Sequence, residues 1–423
     1  MNLIKTSVLN GIAVVTKMLA LLGINKILAL YVGPAGYAAF GQFQNVVALI
    51  TTLIGGAFNT GVTKYTAEYA DDAKRRVAVW RTAGTLSVVV SLVIACALFF
   101  FREALAERLL NDGGLSDVFA WFAVGLVFLI LNTFLLAVLN GLKEIARYVV
   151  CNIAGSVLSV LITAVLVHFY GLKGALIALA TYQSVAFFST LVVCRRLKFF
   201  NFSMLFGQLD KGVVRNLLKY AVMAIVSAAC LPVTQMLIRS EIGQTLGWHA
   251  AGYWEAMWRL SSAYLMMATT TLSIYFLPRL SELKTYPELM AEIGFGYRVI
   301  LPLTVLAAVV IYLLREPIVL FLFSADFVPV TDLFAWQLVG DALKIGSWII
   351  AYVMLGKAMF KAFIFTEIIG SLLFYVLAVF LIRAVGLEGV VMAYALNYAI
   401  YWILVWVVIR RNLRTMRPAV EAV

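Results

Sequence analysis

An all-α polytopic membrane protein, with about twelve transmembrane helices in two parallel six-helix lobes, is the fold class this sequence predicts. Three observations lead to it. The 423-residue chain is 64% hydrophobic and only 13% charged, with a mean hydropathy of +0.99, outside the range of soluble globular proteins. Apolar stretches of about 20 residues, the length that crosses a bilayer, recur along the whole chain with only short loops between them. The second half also repeats features of the first at a nearly constant offset.

Taken in order, the expected spans are 8–32 and 37–62, followed by a basic segment at 64–81; then 80–101, closed by Arg102 and Arg108, and 117–139, followed by basic residues at 143–147. Next come 148–168, ending before Lys173, and 174–194, followed by the strongly basic segment 195–219. The second half supplies 217–238, closed by Arg239, and 252–278, followed by the basic residues of 279–298. The remaining spans are 295–314, closed by Arg315; 331–355, followed by 357–361; 362–382, closed by Arg383; and 389–409, followed by the basic stretch 410–417. Residues 315–326, REPIVLFLFSAD, are apolar but too short to cross and are expected to lie at the interface. Most of the 33 Lys and Arg residues fall in the loops that share a side with the N-terminus, so the positive-inside bias places both termini in the cytoplasm. The N-terminal run is too long for a signal peptide and has no clear cleavage site, so it is read as a retained helix.

The net charge of +12 could suggest a nucleic-acid partner, but the basic residues cluster between apolar segments as cytoplasmic loops do, and nucleic-acid binding is set aside. Cys96, Cys151, Cys194 and Cys230 lie in or beside apolar stretches without CxxC spacing, so neither a metal site nor a disulfide is expected. No extramembrane stretch is long enough to fold as a catalytic domain. A transporter rather than an enzyme is therefore expected, with no catalytic residues and no cofactor beyond a coupling ion, H+ or Na+.

SDVFAWFAVG (116–125) and TDLFAWQLVG (331–340) match at Asp117/Asp332, Phe119/Phe334, Ala120/Ala335, Trp121/Trp336, Val124/Val339 and Gly125/Gly340, each pair 215 residues apart. The same offset relates Gly141 to Gly356, GLKG at 171–174 to GLEG at 386–389, and Arg195-Arg196 to Arg410-Arg411. AGYAAF (35–40) and AGYWEA (251–256) correspond at an offset of 216. These matches imply two parallel six-helix repeats, an N-lobe over 1–205 and a C-lobe over 206–423, and in such transporters substrate sites lie at the repeat interface.

Lys17 and Lys26 are the ionised residues within the spans of the first half, and no acidic residue there is placed to pair with them. An uncompensated lysine at mid-membrane costs about 2.5–3.5 kcal/mol on insertion scales, so such groups normally face water or a partner. The two are nine residues apart, half a turn out of phase, and reach one cavity only if the helix bends, for which Gly23 is the candidate. The second helix adds Asn45, Thr52 and Asn59 at seven-residue spacing, with Gln42 and Gln44 beside them and Gly55 and Gly56 permitting close approach. Either at least one lysine lines a hydrated cavity together with these amides, or the amides join helices and Lys26 snorkels to the outer interface.

The second half carries both signs. Glu255 and Arg259 are four apart and Asp341 and Lys344 three apart, so each pair shares a helical face and can neutralise itself, whereas Glu367 has no local partner. These groups read either as ion pairs inserted as units or as coupling sites for an ion. Trp254 and Trp258 flank the first pair and serve either to stack on a sugar ring or to pack within the protein or the interfacial belt. The asymmetry suggests an anion such as a pyrophosphate held by the first half and a carboxylate in the second that titrates or binds a coupling cation.

With the 6+6 repeat and these residues in place, the sequence resembles the Wzx-type flippases of lipid-linked oligosaccharides, within the multidrug/oligosaccharidyl-lipid/polysaccharide exporter (MOP) superfamily. It is most similar to the group that carries enterobacterial common antigen (lipid III) and O-antigen units. The likeness runs along the whole chain and is strongest at GPAGYAAFGQF (33–43), FNTGVTKYTAEY (58–69), YFLPRLSEL (275–283) and LFAWQLVGDALK (333–344). The resemblance implies a V-shaped pair of lobes in the bacterial inner membrane. Such a protein moves an undecaprenyl-pyrophosphate-linked oligosaccharide from the cytoplasmic to the periplasmic leaflet by alternating access, and would work beside the polymerase and chain-length regulator of the same pathway. It also implies that Lys17 and Lys26 are the basic cavity residues of the first helix and that Arg259 occupies a cavity position. The two extra C-terminal helices typical of peptidoglycan-precursor flippases are not expected after Val423, which argues against lipid II as the principal substrate. The alternative is a MATE-like cation-coupled antiporter of small molecules, which is expected to favour an acidic cavity.

Overall fold

The computed structural model describes residues 3–195, 206–207, 209–283, 285–357 and 359–413, and among these every regular element is helical. Each expected span coincides with a helix. In the first half these are α1 (Leu3–Tyr31), α2 (Gly33–Glu68), α3 (Ala73–Phe100) and α4 (Ser116–Gly141), followed by α5 and α6, the two parts of Ile145–Arg195 on either side of Gly171. The second half holds α7 (Lys211–Thr245), α8 (Trp248–Thr271, prolonged through Leu277–Glu282), α9 (Tyr286–Leu313), α10 (Phe334–Gly356), α11 (Phe360–Val385) and α12 (Glu388–Leu413). Among the described residues nine helices are long and apolar enough to cross a membrane, Ile145–Arg195 counting once. The charge-bearing α7 and α8 are not among the nine. Residues 315–326 form a short helix, Arg315–Leu322, that leads into a 3-10 segment, Ala325–Leu333.

The chain divides into two compact units, Met1–Val233 and Thr234–Val423. The division falls inside α7, beyond the 205/206 boundary expected from the repeat. Part of the reason lies just before α7: Gly207 exchanges hydrogen bonds with Thr85, and the Asp210 amide donates to Thr82 Oγ1 at 3.1 Å, so the entry to α7 is held on α3.

Each unit is built around one buried helix. In the first unit α4 packs against α2, α3, α5 and α6, with Phe119, Phe122, Leu126, Leu129, Phe134 and Val138 fully enclosed. In the second unit α10 packs against α8, α9, α11 and α12, enclosing Phe334, Ile345, Ile349 and Val353. The matched sequences SDVFAWFAVG and TDLFAWQLVG lead into the two buried helices, the first opening α4 and the second running from the 3-10 segment into α10. Surrounding helices turn apolar side chains outward, Phe100 at 80% exposure and Phe380 at 70%, as a lipid-facing surface requires. Since lipid is as apolar as leucine, close contact between helices depends on small residues. A Cβ on Gly125 would lie 2.7 Å from Ser184 Oγ, one on Gly141 would lie 2.6 Å from Thr66 Cβ, and one on Gly346 would run into the Trp402 ring.

The repeat is visible in backbone geometry. Gly171 and Gly386 both turn the chain with positive φ, +52° and +85°, and Gly174 and Gly389 each lie where a Cβ would collide with a carbonyl, that of Leu166 or of Leu381. Gly33 and Gly247, at φ +69° and +90°, open α2 and α8. The GLKG and GLEG motifs are thus the same corner, a left-handed turn followed by a contact too tight for any side chain.

Three expectations change. Arg239, expected in an outer loop, lies inside α7 at 1% exposure, because that helix runs on to Thr245. Gly23 does not interrupt α1, whose helical hydrogen bonding is continuous. The seven-residue stripe on α2 assumed a regular α-helix, whereas Thr52–Gly56 forms a π turn between Asn45 and Asn59 that shifts their relative phase. A π turn also occurs in the second unit, at Leu272–Phe276 after α8.

Candidate functional site

The densest set of buried polar side chains among those described lies in the second unit, on α7, α8, α10, α11 and α12. Its spine is α10, where Gln337, Asp341, Lys344 and Trp348 recur at intervals of four, three and four and so share one face. On α12, Tyr394, Tyr398 and Tyr401 do the same, and α8 presents Glu255, Trp258, Arg259, Ser261 and Tyr264.

Glu255 and Arg259 form the expected pair, with Arg259 Nε donating to Glu255 Oε1 at 2.6 Å. The second carboxylate oxygen is taken by the Arg239 guanidinium, which also lies 5.6 Å over the Trp254 ring. One buried carboxylate therefore serves two buried guanidinium groups. This arrangement holds α7 to α8 and makes Glu255 a fixed counter-charge.

Asp341 and Lys344 do not neutralise each other by direct contact, contrary to the expectation from their spacing. Asp341 is fully buried and accepts from the Ser261 hydroxyl at 2.6 Å and 2.7 Å, from the Tyr264 hydroxyl at 2.6 Å and from the Tyr394 hydroxyl at 2.9 Å, with the Gln337 amide at 3.3 Å. Gln337 Oε1 is itself buried without a partner. Lys344 turns instead toward aromatic rings, those of Trp258, Trp348, Tyr394 and Tyr398. Glu367, expected without a local partner, accepts from the Tyr401 hydroxyl at 2.9 Å. Burial in this region is tolerable because each ion has acquired donors, a counter-ion or π faces in place of water.

Trp254 is 1% exposed and fixed against Arg239 and Trp258, so it offers no face to a sugar. Trp258 is half-buried and stacks at 6.5 Å on Phe374 while facing Lys344.

The predicted residues of the first unit form no comparable cluster. Lys17 is exposed and Lys26 half-buried with an interaction partner, as opposite faces of an uninterrupted helix require. Nine residues separate them by about 13 Å along the axis. Gln42 is buried and Asn45 half-buried, both engaged in interactions, while Asn59 packs beside Gly55 where α2 meets Thr133 of α4. Asn59 Oδ1 is buried without a partner.

Sequence reasoning missed Arg239, Ser261, Tyr264, Trp348 and the three tyrosines of α12. A signal existed for the tyrosines, whose spacing of four and three places three hydroxyls on one helical face. None existed for Arg239 without knowing where α7 ends.

Residues 3–284 match the family described as "Polysaccharide biosynthesis protein". Over 405 residues, 95% of this chain and 97% of the relative, the sequence is 29% identical to the lipid III flippase of Escherichia coli (strain K12), and the same holds for that of Shigella flexneri. Among solved structures it is similar to an inward-facing multidrug resistance MATE family transporter of the MOP superfamily, with a TM-score of 0.80, 14% identity and 96% of each chain covered. It is also similar to the lipid II flippase MurJ in an inward closed conformation, with a TM-score of 0.72, 12% identity, and 98% of this chain and 90% of that one covered. At these identities the two structures establish the fold alone, all-α and polytopic.

Proposed function

Since the chain belongs to the polysaccharide biosynthesis protein family, we propose that it flips an undecaprenyl-pyrophosphate-linked oligosaccharide, a lipid III or O-antigen unit, from the cytoplasmic to the periplasmic leaflet of the bacterial inner membrane by alternating access. Its relatives are named as flippases and transporters, and the protein is a transporter rather than an enzyme. The observation that carries the proposal is the 29% identity to a lipid III flippase over 95% of this chain. The physical need is clear: a glycan and a pyrophosphate cannot cross hydrocarbon unaided, and a hydrated basic path lowers that barrier.

Within this reading at least one of Lys17 and Lys26, which lie on opposite faces of α1, meets the pyrophosphate, with Gln42, Asn45, Asn59, Arg259 and Trp258 as candidate contacts to pyrophosphate or glycan. Asp341 and Glu367 are the candidates for ion coupling, because Glu255 is already engaged by two guanidinium groups. The polymerase and chain-length regulator of the pathway are the proposed partners.

Deletion in the source bacterium tests the reading. An undecaprenyl-linked intermediate is expected to build up on the cytoplasmic side, and unchanged intermediates together with unchanged surface glycan would refute it. In vesicles, at least one of Lys17→Glu and Lys26→Glu is expected to slow flipping about tenfold or more, the equivalent of one charge-assisted contact of about 1.5–3 kcal/mol. Wild-type rates in both variants would remove the pyrophosphate role.

A further inference from the structure

The buried cations of the second unit are held in two different ways. Arg239 and Arg259 share the carboxylate of Glu255, whereas no carboxylate oxygen among the described residues lies within the 4.0 Å of an ion pair from Lys344 Nζ. Nζ lies instead 5.0 Å from the ring centroid of Trp348, 5.5 Å from those of Trp258 and Tyr398, and 5.8 Å from that of Tyr394. Four π faces around one ammonium make an aromatic cage, a recognition device for organic cations that is strongest where water is excluded.

The walls of the cage lead to two carboxylates. The Tyr394 ring faces Lys344 while its hydroxyl donates to Asp341 Oδ1 at 2.9 Å. The Tyr398 ring meets that of Tyr401 edge-on at 6.0 Å, and Tyr401 donates to Glu367 Oε1 at 2.9 Å. The ammonium is thus linked through its rings to one buried carboxylate, Asp341, and one half-buried one, Glu367, without touching either.

We infer that Lys344 is a tethered counter-cation, its ammonium filling the cage in which a free monovalent cation would otherwise balance Asp341 and Glu367. The unit then takes up neither sodium nor potassium at this point, and any coupling through these carboxylates falls to the proton. A competing ion would have to displace a cation held at high effective concentration by its own backbone. The inference deepens the proposed function by narrowing the coupling ion. Its test reads ion binding alone, so its failure and that of the flippase reading are separate results.

The test is thermal unfolding of the purified full-length protein at constant ionic strength. Wild type is expected to unfold at the same midpoint in sodium, potassium and choline chloride. Lys344→Ala, which removes three methylenes and the ammonium, is expected to be stabilised saturably by n-propylammonium, raising its midpoint by several degrees. The neutral analogue 1-propanol should have no such effect, and the response should disappear in Lys344→Ala/Asp341→Asn. If the alanine variant does not fold, Lys344→Met keeps most of the stem, and ammonium chloride is the probe. The proposal is overturned if wild type shows a saturable sodium or potassium response that Asp341→Asn abolishes. Equal action of propylammonium and propanol on the alanine variant, or no ammonium response in the methionine variant, overturns it as well.

Discussion

Glu255 shows at the scale of one residue how a buried charge depends on its surroundings. Removing one member of a buried ionic set leaves the rest uncompensated, at a cost of about 3–5 kcal/mol, while replacing the set by packed apolar groups is often neutral. Glu255→Gln is therefore expected to destabilise the protein strongly, with Arg239 and Arg259 both left without their carboxylate. Arg239→Met/Glu255→Leu/Arg259→Met should recover part of that loss, and unfolding midpoints of the purified variants measure both effects. The two cage tyrosines make a sharper comparison. Tyr394→Phe keeps a ring over Lys344 but removes a donor to Asp341, an expected loss of about 1.5–3 kcal/mol. Tyr398→Phe keeps its ring and gives up no hydrogen bond described to Asp341 or Glu367, so its midpoint should stay close to wild type. Equal losses in the two would mean that the Asp341 contact contributes nothing.

For the helices, spacing was informative wherever the backbone stayed regular. The face shared by Gln337, Asp341 and Lys344 comes from intervals of four and three, and α10 is an uninterrupted α-helix over Phe334–Gly356. The Asn45–Thr52–Asn59 stripe failed for the complementary reason, since the π turn at Thr52–Gly56 adds a residue to the turn and rotates the rest of α2 about its axis. The corners at Gly171 and Gly386 were legible only as matching motifs, and the backbone explains the match. Gly171→Ala and Gly386→Ala are each expected to cost about 1–3 kcal/mol through strain at positive φ. Gly389→Ala should cost at least as much by collision with the Leu381 carbonyl. By contrast Gly11→Ala, in α1 with nothing within 4 Å of a new Cβ, should be neutral or slightly stabilising. Expression-matched unfolding midpoints rank the four, and an unaffected Gly389→Ala would contradict the packing described for that corner.

Across the whole chain, orientation is a statement about loops. With Arg239 inside α7, the loops opposite the N-terminus carry fewer basic residues than the hydropathy pattern alone implies, and the positive-inside bias toward cytoplasmic termini grows. Alkaline phosphatase fused after Asp112, between α3 and α4, is expected to be active in the periplasm, and the same fusion after Lys143, between α4 and α5, inactive. The opposite pattern would invert the topology and with it the proposed direction of transport.

Composition and hydropathy by themselves determined that the chain is a helical membrane protein and roughly where each helix runs, because a bilayer demands about 20 apolar residues per crossing and internal satisfaction of every backbone group. The internal repeat fixed which helices correspond, since equivalent corners need glycine for the same steric reason. Beyond the Glu255–Arg259 pair, legible in its spacing, which charges meet was decided only by tertiary structure. Arg239 reaches Glu255 from another helix, and Asp341 takes hydroxyls from α8 and α12 rather than the ammonium three residues away. Spacing along one helix shows which side chains share a face, whereas the partner of a buried ion is whichever donor the packing of neighbouring helices brings within hydrogen-bonding distance.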